Sequence, residues 1–373
     1  MKSILVVLLL IPLVCAGQFD VELLKDTNSY NGSEYGFALI KTNSESARRI
    51  NEYLQISVLG LLIGKEESSI FENVWPTEED HFKGWAFYQT TVTLNTENLL
   101  VLQVSSEGCA AYCESGDSYL IFDARSGNRI ELDDLFSEVG FDLLKQKVNL
   151  ERKLQLTNEI IRTYGWDSQT KKEMLRENRS EYKESMKEGL EINEVERSIY
   201  VDCLAGIEKY SFQKSFYLDS TNIYLIRERC SNHANRGIDN VGEFRNALGI
   251  RAIDGLLSDY GRKVLLGERI DATVTTITGI VYDGLVDAKY SIKLVLNYVE
   301  GKYASGKYLY TTRGKGIELS GINRNGIFEI EERNDDGAIT GKLNFTFSDG
   351  NQAATGTWTS PDGKSLKLEL FRE

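Results

Sequence analysis

The front of the chain combines apolar residues at helical spacing with runs in which apolar and polar residues alternate. Residues 44–62, SESARRINEYLQISVLGLL, begin with Ser and Glu residues that favour a helix N-terminus. Apolar residues then recur there every three or four positions, which predicts an amphipathic helix: Ala47, Ile50, Leu54 and Val58. Residues 85–106, WAFYQTTVTLNTENLLVLQVSS, alternate on both sides of a polar tetrapeptide at 95–98. We therefore expect a β-hairpin in this segment.

The next segment, residues 107–136, has the sequence EGCAAYCESGDSYLIFDARSGNRIELDDLF. Its apolar run predicts a strand that ends at Asp123, and the Ser-Gly-Asn sequence at 126–128 predicts a turn. After a short returning segment, we expect Asp133 to cap a helix that runs from about Leu135.

Residues 138–197 are strongly charged and have the periodicity of helices. The charge run at 170–191 has few apolar residues, which indicates a solvated face, and no heptad repeat is sustained that would indicate a coiled coil. Residues 210–230 predict two strands, and 239–266 predict a closing amphipathic helix. Helices and strands are segregated and do not alternate as in βαβ units, so we expect an α+β fold.

From Ile270 onward, short alternating strands are separated by glycine-containing turns. Glycines also lie inside or beside the strands at intervals of 15 to 20 residues: Gly306, Gly321, Gly341 and Gly356. This pattern predicts a small antiparallel barrel or a highly curved sheet. We expect its own side chains to fill it rather than a ligand. The sequence NDDGAITG resembles a calcium loop loosely, but Leu343 replaces the expected Glu, so a turn is the better interpretation.

The pattern divides the chain into three parts: a signal peptide at 1–16, an α+β domain at 17–268 and an all-β domain at 269–373. The signal peptide is indicated by Lys2, a short apolar run and a small-residue cleavage site. We expect export to the periplasm or cell surface without a transmembrane segment after cleavage. Lipidation of Cys15 is the less favoured alternative.

Removal of the signal peptide leaves four cysteines in an exported protein, which favours disulfides. Of the three connectivities, we prefer Cys109–Cys113 with Cys203–Cys230, which joins neighbours in sequence. The alternative is a zinc site formed by Cys109, Cys113, Cys230 and His233, whose spacings would allow four ligands. An oxidising compartment disfavours three free thiolates, so we expect no metal and no other cofactor.

The charge distribution restricts the kind of partner. The net charge is −13, and residues 269–373 carry 13 Lys and Arg against 14 Asp and Glu, so the acidity belongs to the front of the chain. A negative surface disfavours nucleic acid and anionic lipid and favours a cationic partner.

The segment YLIFDARSGNRIELDDLF, with the cluster GCAAYC before it, resembles the hallmark of an exported family of unknown function. That family includes the extracellular domain of a lysozyme-sensing anti-sigma factor and a domain beside a peptidoglycan deacetylase. Its pattern has Gly-Gly-Ala-His where this chain has Gly108-Cys109-Ala110-Ala111, so the histidine is absent here. The segments GKYLYTTRGKGIELSG and ITGKLNFTF resemble β-rich tail domains of exported Bacteroidetes proteins. The resemblance implies an envelope protein.

Catalytic signals are weak, because the chain has only two histidines, His81 and His233, and no phosphate loop or dinucleotide motif. We therefore favour a non-catalytic binding protein of the cell envelope. Its ligand would be a peptidoglycan-type glycan or a cationic protein such as lysozyme. The alternative is a glycan hydrolase that uses carboxylates near the loop closed by the Cys109–Cys113 disulfide. The candidate ligand-binding residues are Glu107, Tyr112, Glu114 and His233.

Overall fold

The computed structural model describes residues 18–76, 84–109, 113–176, 180–210, 212–274, 276–334 and 337–372. It confirms the fold class: a mixed α+β region is followed by an all-antiparallel barrel of eight strands. The predicted signal peptide lies outside the described residues. Within them, none of the helices is both long and apolar enough to cross a membrane.

The α+β region begins with a five-stranded sheet in which neighbouring strands follow the order of the chain. Its strands are β1 (Val21–Thr27), β2 (Glu34–Ile40), β3 (Phe87–Asn95), β4 (Leu99–Cys109) and β5 (Cys113–Asp123). Only the β2–β3 pair is parallel. The strands β3 and β4 form the predicted hairpin around residues 95–98.

The predicted helix in this region is confirmed as α1 (Glu45–Leu54), which continues as a π-helical turn over Gln55–Leu59. Its N-cap is Ser44, whose hydroxyl accepts a hydrogen bond from the Ala47 amide at 3.1 Å. The face that contains Ile50 is buried against the sheet, in a core cluster shared with β2, β4 and part of β5.

A tight turn follows β5 and leads into the short helix α2 (Leu132–Leu135). Gly127 adopts a φ of 76°, and a Cβ atom there would lie 2.4 Å from the Ser46 carbonyl oxygen, so only glycine fits. The prediction that Asp133 caps the helix was wrong. Glu131 and Asp134 form the capping box instead, whereas Asp133 is exposed and paired with Lys214.

Two long helices form a hairpin, α3 (Glu138–Arg176) and α4 (Ser180–Gly206). A three-stranded antiparallel sheet follows, with strands β6 (Phe216–Leu218), β7 (Asn222–Arg227) and β8 (Phe244–Gly249). The predicted closing helix at 239–266 was therefore wrong in its first part. Residues Phe244, Asn246 and Leu248 are buried on one face of β8 with a period of two. After β8 come a 3-10 turn (Ile250–Leu256), the short helix α5 (Asp259–Gly261) and a π-helical turn (Arg262–Leu266).

The C-terminal barrel closes because its last strand pairs with its first. Its strands are β9 (Val281–Val286), β10 (Tyr290–Glu300), β11 (Tyr303–Tyr310), β12 (Gly316–Arg324), β13 (Ile327–Arg333), β14 (Ile339–Phe347), β15 (Ala353–Thr359) and β16 (Ser365–Arg372). All four predicted glycines lie inside strands. A Cβ atom on Gly356 would lie 1.9 Å from the Asn344 carbonyl oxygen, which explains the need for glycine at this bend.

Large apolar side chains fill the barrel, among them Phe328, Phe345 and Leu370. Glu332 also is buried, and its carboxylate accepts hydrogen bonds from the Tyr308 hydroxyl and, at 2.8 Å, from the Trp358 indole N–H. These donors satisfy a charge that would otherwise be costly to bury.

The barrel packs directly against the α+β region. Lys293 on β10 forms ion pairs with Glu52 of α1 at 3.1 Å and with Asp283 of β9 at 2.6 Å. The hydrophobic core that contains Leu144 and Leu248 continues into the barrel interior. The domain boundary placed at residues 268 and 269 stays a prediction.

Candidate binding surface

Both preferred disulfides are present, Cys109–Cys113 and Cys203–Cys230. The first joins paired residues at the end of the β4–β5 hairpin, with Cα atoms 4.0 Å apart. Glu107 comes within 4.8 Å of these two sulfur atoms. Because all four sulfurs are bonded in pairs, the zinc set with His233 is not formed.

The register of the β4–β5 hairpin decides which side chains act together. Glu107 pairs with Ser115, whereas Glu114 pairs with Gly108. Side chains alternate between the two faces of a ladder, and directly paired residues share a face. Glu107 and Glu114 therefore project from opposite faces of the hairpin.

We call the first of these faces the Glu107 face, defined by Phe87, Ser105, Glu107, Ser115 and Asp117. Phe87 pairs with Glu107 across β3 and β4, and Asp117 pairs with Ser105, whose hydroxyl donates to its carboxylate at 2.6 Å. Asp117 and Phe87 are exposed, and Glu107 is half-buried. Among the described residues, no cation forms an ion pair with either carboxylate of this face.

On the opposite face, Glu114 forms an ion pair with Arg229, in the loop that follows β7. The next residue is Cys230, so this ion pair joins the segments closed by the two disulfides. Trp85 lies against Gly108 on this face and stays 42% exposed. Glu114 is therefore partly neutralised, unlike the carboxylates of the Glu107 face.

The structure describes only one of the remaining three residues that were named from the sequence. Tyr112 and His81 lie outside the described residues. His233 is exposed in the loop after Cys230, where its backbone carbonyl accepts a hydrogen bond from the Arg236 amide at 3.3 Å.

Carboxyl groups with raised pKa values lie inside the protein, away from the hairpin end. Burial raises the pKa of Asp134 to about 7, and the nearby Glu131 carboxylate adds to this effect. Burial also raises the pKa of Glu131, although Arg129 opposes the shift. Asp134 is only 7% exposed and its Oδ2 atom accepts the Glu131 amide at 2.9 Å. These groups belong to the α2 cap, where a substrate has no access.

Phe87, Asp117 and Arg229 were not among the residues predicted from the sequence. A signal for the first two exists in the composition: residues 84–124 contain five Asp and Glu and no Lys or Arg. Arg229 had no such signal, because its contact with Glu114 joins residues 115 positions apart.

No protein-family model matches this chain. No curated protein matches it either. Among solved structures, a member of the DUF3298 family from Bacteroides fragilis NCTC 9343 is similar, with a TM-score of 0.35 and 13% identity over 65% of this chain and 94% of that chain. A DUF3298 family protein from Pseudomonas aeruginosa PAO1 has a TM-score of 0.35 and 10% identity over 65% of this chain and 96% of that chain. These structural neighbours are members of a family of unknown function, and similarity at this level is too low to assign the chain to it.

Proposed function

We propose that this protein is exported to the cell envelope and binds a cationic protein, such as a lysozyme, through the Glu107 face. The observation that carries the proposal is the pair of carboxylates, Glu107 and Asp117, on one face of a hairpin without a neutralising cation among the described residues. Export is supported by the N-terminal apolar run and by the pairing of the four remaining cysteines.

Three features of the Glu107 face suit a protein partner. The Cys109–Cys113 bond closes the hairpin end and limits its conformational freedom, which lowers the entropic cost of binding. Phe87, 36% exposed, supplies apolar area beside the carboxylates. The negative charge attracts a cationic partner and accelerates association.

The test measures binding of lysozyme to the immobilised mature chain by biolayer interferometry at low and at physiological salt. We expect saturable binding that weakens with salt and is absent for an acidic protein of similar size. The double variant Glu107→Gln/Asp117→Asn should weaken binding roughly tenfold at low salt, mainly through the association rate.

The matched control is Glu97→Gln, an exposed carboxylate in the turn between β3 and β4, at the opposite end of β4, that is paired with Arg125. It should bind as the native chain does. Equal binding by the native chain and the double variant would refute the proposed face, and absence of binding to lysozyme would refute this partner.

A peptidoglycan-type glycan is the second candidate, and exposed Trp85 on the Glu114 face favours it. An aromatic ring offers an apolar face to a sugar ring. Soluble peptidoglycan fragments should then bind the native chain, and Trp85→Ala should abolish the binding while leaving lysozyme binding unchanged.

The geometry removes the predicted carboxylate pair, Glu107 with Glu114, from the hydrolase alternative. Glycoside hydrolysis uses two carboxyl groups that flank one bond. Glu107 and Glu114 project from opposite faces of the hairpin, so they do not form such a pair.

A further inference from the structure

An open cleft of about 390 Å³ lies beside the Cys203–Cys230 disulfide, between the end of α4 and the segments that flank β6 and β7. This volume falls in the range of small-molecule sites. Its walls are mostly polar and include Asp202, Arg227, Glu228 and Arg229. Such a cleft needs a polar ligand.

The cationic wall of the cleft is only partly neutralised by the protein. Arg229 is paired with Glu114. Arg227, at the end of β7, is half-buried and forms no ion pair among the described residues. Burial lowers its pKa. Arginine is suited to holding a carboxylate with two parallel hydrogen bonds, so an unpaired, half-buried arginine in a cleft indicates an anionic ligand.

A second arginine strengthens the local positive charge. Arg152 on α3 is only 1% exposed, and its guanidinium lies 5.5 Å from the Phe212 ring centroid and 5.9 Å from that of Phe244. Its Nε donates to Asn246 at 2.8 Å, but its Nη2 is buried without a hydrogen-bond partner among the described atoms. The pKa of Arg152 is lowered to about 10, mainly by burial and also by the neighbouring charge of Arg227, whereas Glu151 opposes the shift. The Glu151 carboxylate acts on Arg152 and accepts a hydrogen bond from Asn246 at 3.2 Å, but among the described residues it forms no ion pair with either guanidinium group. An anion in the cleft would therefore lie in a favourable field.

The rim of the same cleft carries the opposite charge. Asp202 near the end of α4 and Glu228 directly after β7 are exposed and form no ion pair among the described residues. These carboxylates disfavour a dianion such as phosphate and favour a ligand that also carries an amine.

We propose that this cleft binds a small zwitterion, an amino acid or a short peptide, with its carboxylate on Arg227 and its amine on Asp202 or Glu228. The site is separate from the Glu107 face, and its failure would leave the proposed protein partner untouched. The inference requires only binding, with no chemical step.

The test uses isothermal titration calorimetry on the mature chain with four probes: tri-L-alanine, its C-terminal amide, its N-acetyl derivative and inorganic phosphate. We expect tri-L-alanine to bind at millimolar concentration or below. The amide, which lacks the carboxylate, should bind at least about tenfold more weakly, because a charged hydrogen-bonded pair is lost. The N-acetyl derivative should bind severalfold more weakly, and phosphate should not compete.

Substitutions of single residues test which side chains hold the carboxylate and the amine of the peptide. Arg227→Gln should weaken tri-L-alanine about tenfold without lowering the melting temperature, because it removes a desolvated charge beside Arg152. Asp202→Asn should weaken tri-L-alanine but not its N-acetyl derivative. The control Arg125→Gln, an exposed arginine paired with Glu97 elsewhere, should change nothing.

Three results would overturn the proposal: no saturable binding of any probe by the native chain, equal affinity for tri-L-alanine and its amide, or phosphate binding in preference to the peptide. Retained peptide binding in folded Arg227→Gln would do the same.

Discussion

The raised pKa of Asp134 allows a quantitative test of how its burial affects the stability of the protein. Burial raises its pKa from 3.8 to about 7, and this difference corresponds to roughly 4 kcal/mol as an upper bound. A carboxyl group whose pKa is raised in the folded state binds its proton more tightly there than in the unfolded chain. The stability it contributes is thus fully present below about pH 4 and is lost as pH rises through about 7.

The variant Asp134→Asn isolates this effect. An amide oxygen still accepts the Glu131 amide hydrogen bond in the capping box, but the side chain no longer ionises. The free energy of unfolding of Asp134→Asn minus that of the native chain should therefore rise between pH 5 and pH 8. The slope of 1.36 kcal/mol per pH unit below pH 7 sets the increase at roughly 2–3 kcal/mol.

Urea unfolding followed by tryptophan fluorescence measures this difference at several pH values. The control is Asp133→Asn, which removes only a surface ion pair with Lys214 and should change stability by less than about 1 kcal/mol throughout. A difference for Asp134→Asn that stays flat, or falls as pH rises, would refute the reasoning.

Three further variants test the framework by the same unfolding assay. Gly356→Ala should destabilise the chain by about 3 kcal/mol, because its Cβ would lie 1.9 Å from a carbonyl oxygen of the neighbouring strand, whereas exposed Thr355→Ala should cost under about 0.5 kcal/mol; equal costs would contradict the barrel packing. Cys203→Ser/Cys230→Ser opens a loop of 27 residues and should cost about 3.5 kcal/mol, and an unchanged midpoint would argue against this bond. Glu332→Leu should lower the free energy of unfolding by about 2 kcal/mol or more, because two buried donors lose their acceptor, whereas Glu332→Gln should lower it clearly less. Similar losses of stability in the two variants would refute the role of the carboxylate.

The barrel was predictable from the sequence because its signal is local. Alternating residues specify which face of each strand is buried, and a glycine at a bend such as Gly356 marks a close approach of two backbones. Each hairpin turn then places consecutive strands side by side. The closing pair, β9 with β16, follows from the curvature of the sheet.

The errors arose where one pattern fits two structures. Phe244 and Leu248 are four residues apart, a spacing that suits one face of a helix and also one face of a strand. Pairing with β7 stabilises this segment as the strand β8. The helix cap was misplaced because Asp133 and Asp134 are adjacent acids, and only the backbone direction at Glu131 selects Asp134.

The candidate surfaces depend on contacts that periodicity does not contain. Glu107 and Glu114 are separated into two faces by the register of β4 with β5, which the spacing of residues alone leaves open. The cleft requires the end of α4 to meet the end of β7. Arg152 on α3 and Arg227, 75 positions apart, likewise become neighbours only in the folded chain.

The acidic residues of the motif at 119–136 have structural roles, which directs the search for function elsewhere. Asp123 accepts the Arg125 amide at 2.9 Å within the turn and the Tyr260 hydroxyl at 3.1 Å, and Asp134 caps α2. The Ser258 hydroxyl donates to the Asp134 carbonyl at 2.6 Å, so the motif holds the segment that leads into the barrel. Because these contacts occupy both carboxylates inside the fold, we expect a ligand to be recognised by groups that are at least partly exposed. The uncompensated charges of the Glu107 face and of the Arg227 cleft are such groups, and the Glu114–Arg229 ion pair connects the segments that carry them.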